Sequence, residues 1–196
     1  MEIAPITLEG RHVRLEPLSL AHEESLIEAS NDGELWKSTV TIVPTRATIR
    51  DYITLTLSAQ QRGTELPFAI IRKSSNQVVG STRFYSMDCS HRRAEIGYTW
   101  LAKSAQRSEV NTEAKLLLLT HAFETWRCIR VAFVTDAMNQ QSRAALVRIG
   151  AKFEGIIRNH MIMPSGRLRD SACYSIIESE WRDVKTHLNE LCKGQP

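Results

Sequence analysis

A chain of 196 residues, 42% hydrophobic and 24% charged, is long enough to bury one substantial core and has ordinary globular usage. The formal charge of +3 comes from scattered basic residues, so nothing reads as a nucleic-acid stripe, and the longest apolar run, Leu116 to Leu119, is far too short to cross a bilayer. The start, "MEIAPITLEG", lacks the basic and apolar regions of a secretory signal. Cys89, Cys128, Cys173 and Cys192 form no CxxC pair and the histidines show no ligand spacing, so a cytoplasmic protein with reduced thiols and no metal is expected.

In chain order, "HVRLEPL" alternates apolar and polar residues and predicts a strand from about His12 to Leu18. Ser19 is placed to cap a helix through about Ser30, with Leu20, Leu26, Ile27 and Ala29 on its apolar side. The loop "NDGELWKSTVTIVP" carries Trp36, and a second helix follows from about Arg46 to Arg62. "PFAIIRK" and "QVVGSTRFYSM" predict a hairpin around "SSN", and "RRAEIGYTWLA" a third strand. Period-two alternation puts Glu95, Gly97 and Thr99 on one face and Ile96, Tyr98 and Trp100 on the other.

A long helix then runs to about Trp126, with His121 among its leucines as a packed side chain. "IRVAFVTD" is nearly continuous in apolar character, as in a strand buried on both faces. "NQQSRAALVRIG" predicts a short helix capped by Asn139 and closed by Gly150. Two last strands, "AKFEGIIRNHMI" and "ACYSIIE", flank the turn "PSGRLRD", in which Arg169 and Asp170 can pair, and "SEWRDVKTHLNELC" predicts a terminal helix. The order predicts one α/β domain over residues 1–196, a mixed sheet of about seven strands sandwiched by helices.

The start of the long helix, "AQRSEVNTEAK", is suited to an anion, because the first amides of a helix lack partners and carry partial positive charge. It contains almost no glycine, and Glu109 stands in the first turn, where a carboxylate also stabilises the helix itself. A phosphate about 6 Å away would be opposed by about 3 kcal/mol at an effective dielectric near 20. Solvent and side-chain rotation reduce that to about 1 kcal/mol.

Four stretches, "AEIGYTWL", "QRSEVNTEAKLLL", "TDAMNQQSRAALVRIGAKFEG" and "RNHMIMPSGRLRDSACYSII", resemble the GNAT family of acyl-CoA-dependent N-acetyltransferases in order and spacing. The resemblance is nearest to the RimJ/RimL-like branch and spans nearly the whole chain. In that family a Gln/Arg-x-x-Gly-x-Gly/Ala loop holds the coenzyme pyrophosphate. Laid on this sequence, the loop is Gln106, Arg107, Ser108, Glu109, Val110 and Asn111; Gln106 matches and Glu109 replaces the glycine. The resemblance implies acetyl-CoA as co-substrate, a pantetheine arm along the backbone of Trp100, Leu101 and Ala102, a hydrogen bond to that arm from Asn139, and Ser142 near the leaving thiolate.

Transfer to an amine needs a group that takes the ammonium proton, and Glu95 is the leading candidate base. Glu154 is a second carboxylate in reach of such a role, although a surface strand position explains it as well. Trp36, Arg158, His160, Arg169 and Asp170 fall in segments that would border the acceptor groove. The implied acceptor is a protein or peptide N-terminus. A small-molecule amine remains an alternative, as does a GNAT-shaped coenzyme-binding or interaction module of weak activity, which Glu109 favours. A homodimer is compatible with the chain; nucleic acid and membrane partners are not expected.

Overall fold

The computed structural model describes residues 1–194. Its strands are β1 (Leu8–Glu9), β2 (Val13–Pro17), β3 (Glu65–Arg72), β4 (Gln77–Asp88), β5 (Arg93–Leu101), β6 (Arg130–Asp136), β7 (Lys152–Ile162) and β8 (Leu168–Ile177). Its α-helices are α1 (Glu23–Asn31), α2 (Ile49–Gln61), α3 (Glu109–Thr120), α4 (Gln140–Arg148) and α5 (Glu178–Lys193). The strands form one sheet in the order β1-β2-β3-β4-β5-β6-β8-β7, eight among the described residues rather than about seven. The additional strand, β1, is a two-residue pairing onto β2 (Leu8↔Leu15, Glu9↔Arg14), too short to leave an alternation pattern.

Neighbouring strands are antiparallel except β5 and β6. Helices α1 and α2 cover one face of β3 and β4; α3, α4 and α5 lie on the other. The covering helices are held by apolar faces at helical spacing, such as Trp181, Val184 and Leu188 of α5. On α3 a carboxylate does similar work. Buried Glu113 accepts the backbone N–H groups of Arg11, His12 and Val13 at 2.8, 2.7 and 2.6 Å, tying the helix to the amino-terminal hairpin. The adjoining Gly10 leaves room for it, since a Cβ there would lie 2.6 Å from the carboxyl carbon.

After Thr120 the helix passes into a π-helical turn, His121–Thr125. His121 packs as expected, its ring 4.7 Å from that of Trp126, and burial lowers its pKa.

Two sequence expectations fail around β5 and β6, and Leu20, expected on the apolar side of the first helix, is 49% exposed. Strand β6 is fully buried on one face, with Val131 and Phe133 in the core, whereas Arg130, Ala132 and Val134 on its other face are half-buried and only Asp136 at its end is buried there. Strand β5 does not keep its alternation. Arg83 pairs with Gly97 and Ser81 with Trp100, so two residues of β5 stand against one of β4, a β-bulge with Tyr98 at φ 50°. Tyr98 therefore joins the face of Glu95 and Gly97, packing on Tyr85 and Arg83, while Thr99 turns to α3 and accepts Lys115 Nζ at 2.7 Å.

Candidate active site

The parallel pair β5–β6 is short: Arg93↔Arg130, Ala94↔Val131 and Glu95↔Ala132. Beyond Glu95 the two strands part, and the β6-facing edge of β5 continues to Leu101 without a strand partner. The helices α3 and α4 start at the open end of this cleft, linked by a hydrogen bond from Gln141 Nε2 to Gln106 Oε1 at 3.2 Å.

The coenzyme-loop candidates lie here as one braced segment. Gln106 Nε2 donates to Leu101 O at 2.9 Å, Ser108 Oγ donates to Ala105 O at 2.7 Å, and Asp32 accepts the Ser104 N–H at 3.1 Å. Ser108 is the N-cap of α3 and accepts the Val110 N–H. Helix geometry leaves the remaining first-turn amides, of which Glu109 and Asn111 supply two, to an anion or water. The left-handed position of the loop is Arg107, at φ 57°, whereas Glu109 is the first helical residue. No conformational demand for glycine falls on Glu109. Its charge reaches α5: the Cys192 thiol is pushed up to about 11 by burial, then by Glu113, with Glu109 adding to the effect and Arg148 opposing it.

Trp100, Leu101 and Ala102 are buried, and the Ala102 N–H is spent on Val79 O at 2.8 Å. The Trp100 indole N–H is buried without a partner. Asn139 caps α4 by accepting the Ser142 N–H at 3.0 Å, and its amide nitrogen donates to Thr41 Oγ1 at 3.1 Å. Ser142 sits half-buried in the first turn of α4. Arg167 extends the closure: its guanidinium pairs with the buried Asp136 carboxylate and donates to Thr39 O at 3.0 Å. The segment between α1 and α2 is thus fastened over the ends of β6 and β8. Trp36 lies half-buried within this segment, in a short 3-10 turn, Leu35–Lys37.

Glu95 is half-buried where the strands part. Tyr85, opposite it on β4, is held protonated by burial first and by the Glu95 carboxylate second, with Arg169 opposing. The Cys173 thiol is likewise raised, by burial and then by Glu154 and Glu95. Glu95 therefore shares one face of the sheet with Tyr85, Cys173 and Arg169. His160 and Arg169 converge on Ser171 Oγ, at 3.0 and 3.1 Å, because a register shift in β7 turns His160 toward β8. Arg169 and Asp170 are strand residues rather than a turn pair, and Asp170 accepts the Asn159 N–H at 2.8 Å instead. Glu154 accepts from Arg130 Nη1 and Nη2 and from Ser175 Oγ at 2.8 Å, which holds its pKa down, the Arg130 bond foremost. Arg158 is an exposed β7 residue.

Sequence reasoning missed Tyr85, Arg83 and the Asp136–Arg167 closure. Each depends on pairings between segments far apart in the chain, and the alternation of "GSTRFYSM" does not show that Arg83 is buried or that Tyr85 stands opposite Glu95.

The Acetyltransferase (GNAT) domain family matches residues 12–152, most of the chain. The "Putative ribosomal N-acetyltransferase YdaF" of Bacillus subtilis (strain 168) is 36% identical over 106 residues, 54% of this chain and 57% of that protein, so the match spans little more than half of this relative's length. A GCN5-related N-acetyltransferase from Brucella melitensis superposes with a TM-score of 0.87 at 32% identity, covering 96% of this chain and 86% of its own. Mycobacterium smegmatis RimJ, solved in complex with CoA-disulfide, superposes at 0.79 with 21% identity, covering 97% and 96% of the two chains. The open β5–β6 cleft with two helix starts at its mouth is thus found in a chain that belongs to the GNAT acetyltransferase family and has the fold of its RimJ/RimL-like branch.

Proposed function

We propose that the protein is an acetyl-CoA-dependent N-acetyltransferase, one GNAT-like domain whose acceptor is the α-amine of a protein or peptide. The observation that carries this reading is the parting of β5 and β6 immediately after Glu95, which opens the sheet beside a carboxylate. Bound acetyl-CoA would supply the activated acetyl thioester. The free first-turn amides of α3 suit its pyrophosphate, and the edge of β5 that runs to Leu101 without a strand partner suits the pantetheine arm. The orphaned Trp100 N–H is consistent with a site that gains polar contacts on binding.

Glu95 takes the proton from the acceptor ammonium, directly or through water. An α-amine, with a pKa of about 7.7–8.0, yields that proton more readily than a lysine side chain. Tyr85, kept protonated, orients the Glu95 carboxylate rather than competing as a base. Ser142, in the first turn of α4, serves the departing thiolate as a proton donor or through a held water. Trp36, His160 and Arg169 border the acceptor. The sheet face of Arg169 and Ser171 continues along β7 past half-exposed Ile157 and Met161, and such an open strip favours a polypeptide over a small enclosed amine. The ribosomal assignment in the name of YdaF favours the same acceptor class.

The reading implies a cytoplasmic setting, where unpaired cysteines persist. The exposed apolar side chains of edge strand β7, Phe153, Ile156 and Ile162 among them, are where a second copy would pair. The acceptor class is tested by incubating the protein and acetyl-CoA with three sets: peptides with free α-amines, N-blocked peptides containing lysine, and small amines. Acetylation of the first set by mass spectrometry is expected. Acetylation of small amines alone would replace the polypeptide reading with the small-molecule one.

A further inference from the structure

The β5 bulge occupies a conformation that its own residue disfavours. Tyr98 lies in the left-handed region at φ 50°, where glycine and asparagine sit at low cost and a bulky side chain does not. Something outside the strand holds it there. Beneath the Tyr98 ring lies Arg83, only 7% exposed, its guanidinium carbon 3.7 Å from the ring centre and 5.4 Å from that of Tyr52. Arg83 Nη1 donates to Thr56 Oγ1 at 3.0 Å and pairs with the Glu65 carboxylate, whereas its Nε is buried without a partner.

A guanidinium this far from water is costly unless it is paired and covered. Glu65 and Thr56 pair it, and the Tyr98 face covers it. Regular alternation would send Tyr98 to the α3 side and leave Arg83 bare, so the bulge and the buried cation stabilise each other. On the opposite face, Lys115 Nζ and Thr82 fix Thr99 through hydrogen bonds of 2.7 and 2.8 Å, so the chain is pinned on both sides of the irregularity. The bulge falls between Glu95 and Trp100, on the stretch where β5 has already left β6. The φ of Tyr98 therefore sets how the free backbone edge from Gly97 to Leu101 is aimed relative to the Glu95 carboxylate.

We propose that Arg83 is a positioning residue for acetyl transfer: clamped by Glu65, Thr56 and the Tyr98 ring, it holds the β5 bulge that aligns the thioester-facing backbone with Glu95. This inference rests on the N-acetyltransferase reading of the site. The test compares wild type, Arg83→Met, Tyr98→Gly and the double variant, with kcat measured at saturating substrates and acetyl-CoA affinity by calorimetry. Arg83→Met is expected to lower kcat by about 100-fold, the scale of a small misalignment, while coenzyme affinity changes by less than about 3-fold. Glycine adopts the left-handed conformation without a clamp, so in the Tyr98→Gly background the same substitution should lower kcat by less than about 3-fold. A folded Arg83→Met protein with wild-type kcat, or effects of the two substitutions that simply multiply, would overturn the proposal.

Should Arg83→Met not fold, Glu65→Gln loosens the clamp from its other end and is expected to lower kcat in the same pattern; unchanged kcat overturns the proposal. Backbone coupling constants of residue 98 by NMR give a readout independent of activity. If the wild type transfers acetyl to no amine, the enzyme reading fails, and the clamp is then judged on this readout alone. Loss of positive φ in Arg83→Met or Glu65→Gln supports the clamp, and retention of it overturns the clamp.

Discussion

Lys115 shows how much a single buried charge decides. Its ammonium lies within the core side of α3 with Thr99 Oγ1 as acceptor, and burial lowers its pKa to about 7. In the unfolded chain the amine keeps its proton to about pH 10.4. Between about pH 7 and pH 10 the unfolded state therefore binds more protons, and this group makes stability rise with pH; below pH 7 its burial penalty is at full strength. Lys115→Met should be more stable than wild type at pH 6, by a few kcal/mol at most, and the advantage should shrink toward pH 10. Urea titrations at several pH values check this, and a pH-independent difference would contradict it. Glu109 gives a second prediction. Because Arg107 and not Glu109 is left-handed, only charge opposes the coenzyme, so Glu109→Gln should tighten acetyl-CoA by roughly 5-fold at low salt and Glu109→Gly by no more. A glycine variant far better than the glutamine variant, by calorimetry, would restore the conformational explanation. The identity of these residues was legible in the sequence, but their backbone states were not. "QRSEVN" marks a helix start without saying which residue takes the left-handed turn, and Lys115 reads as any helical lysine until Thr99 is turned toward it.

At the scale of elements, position along the chain was legible wherever periodicity or a cap signalled it. Asn139 caps α4 in the expected manner. What the sequence concealed were departures from periodicity, because a bulge leaves composition unchanged while reversing which side chains share a face. The same applies to the splay: "IRVAFVTD" is nearly continuous in apolar character, yet β6 meets β5 for only three paired residues. Helix α3 owes its place to a contact that no pattern announces. Removing the Glu113 carboxylate as Glu113→Ala would leave the N–H groups of Arg11, His12 and Val13 without their acceptor, at a cost of about 3 kcal/mol in unfolding free energy. Chemical denaturation measures it, and a loss under about 1 kcal/mol would mean that water replaces the carboxylate readily.

For the whole molecule, the order of strands and helices carried the fold, since alternating segments with short connections leave few ways to cover a mixed sheet. The eight-stranded sheet is antiparallel on both flanks of a single parallel junction, and the proposed site lies at that junction. The edge strand β7 remains largely exposed, with Ile162 at 74% and Phe153 at 51%. If a second copy pairs there, Ile156→Lys together with Ile162→Lys should reduce the mass seen by light scattering from dimer to monomer; a mass unaffected by the substitutions would remove β7 from the contact. The account stands most directly on Glu95. The decisive measurement is turnover of acetyl-CoA with an N-terminal peptide at saturating substrates, for wild type and Glu95→Gln. The account predicts measurable transfer by the wild type and a loss of at least about 100-fold in the variant, with acetyl-CoA binding retained. Equal turnover by the two proteins, or none by the wild type, would contradict it.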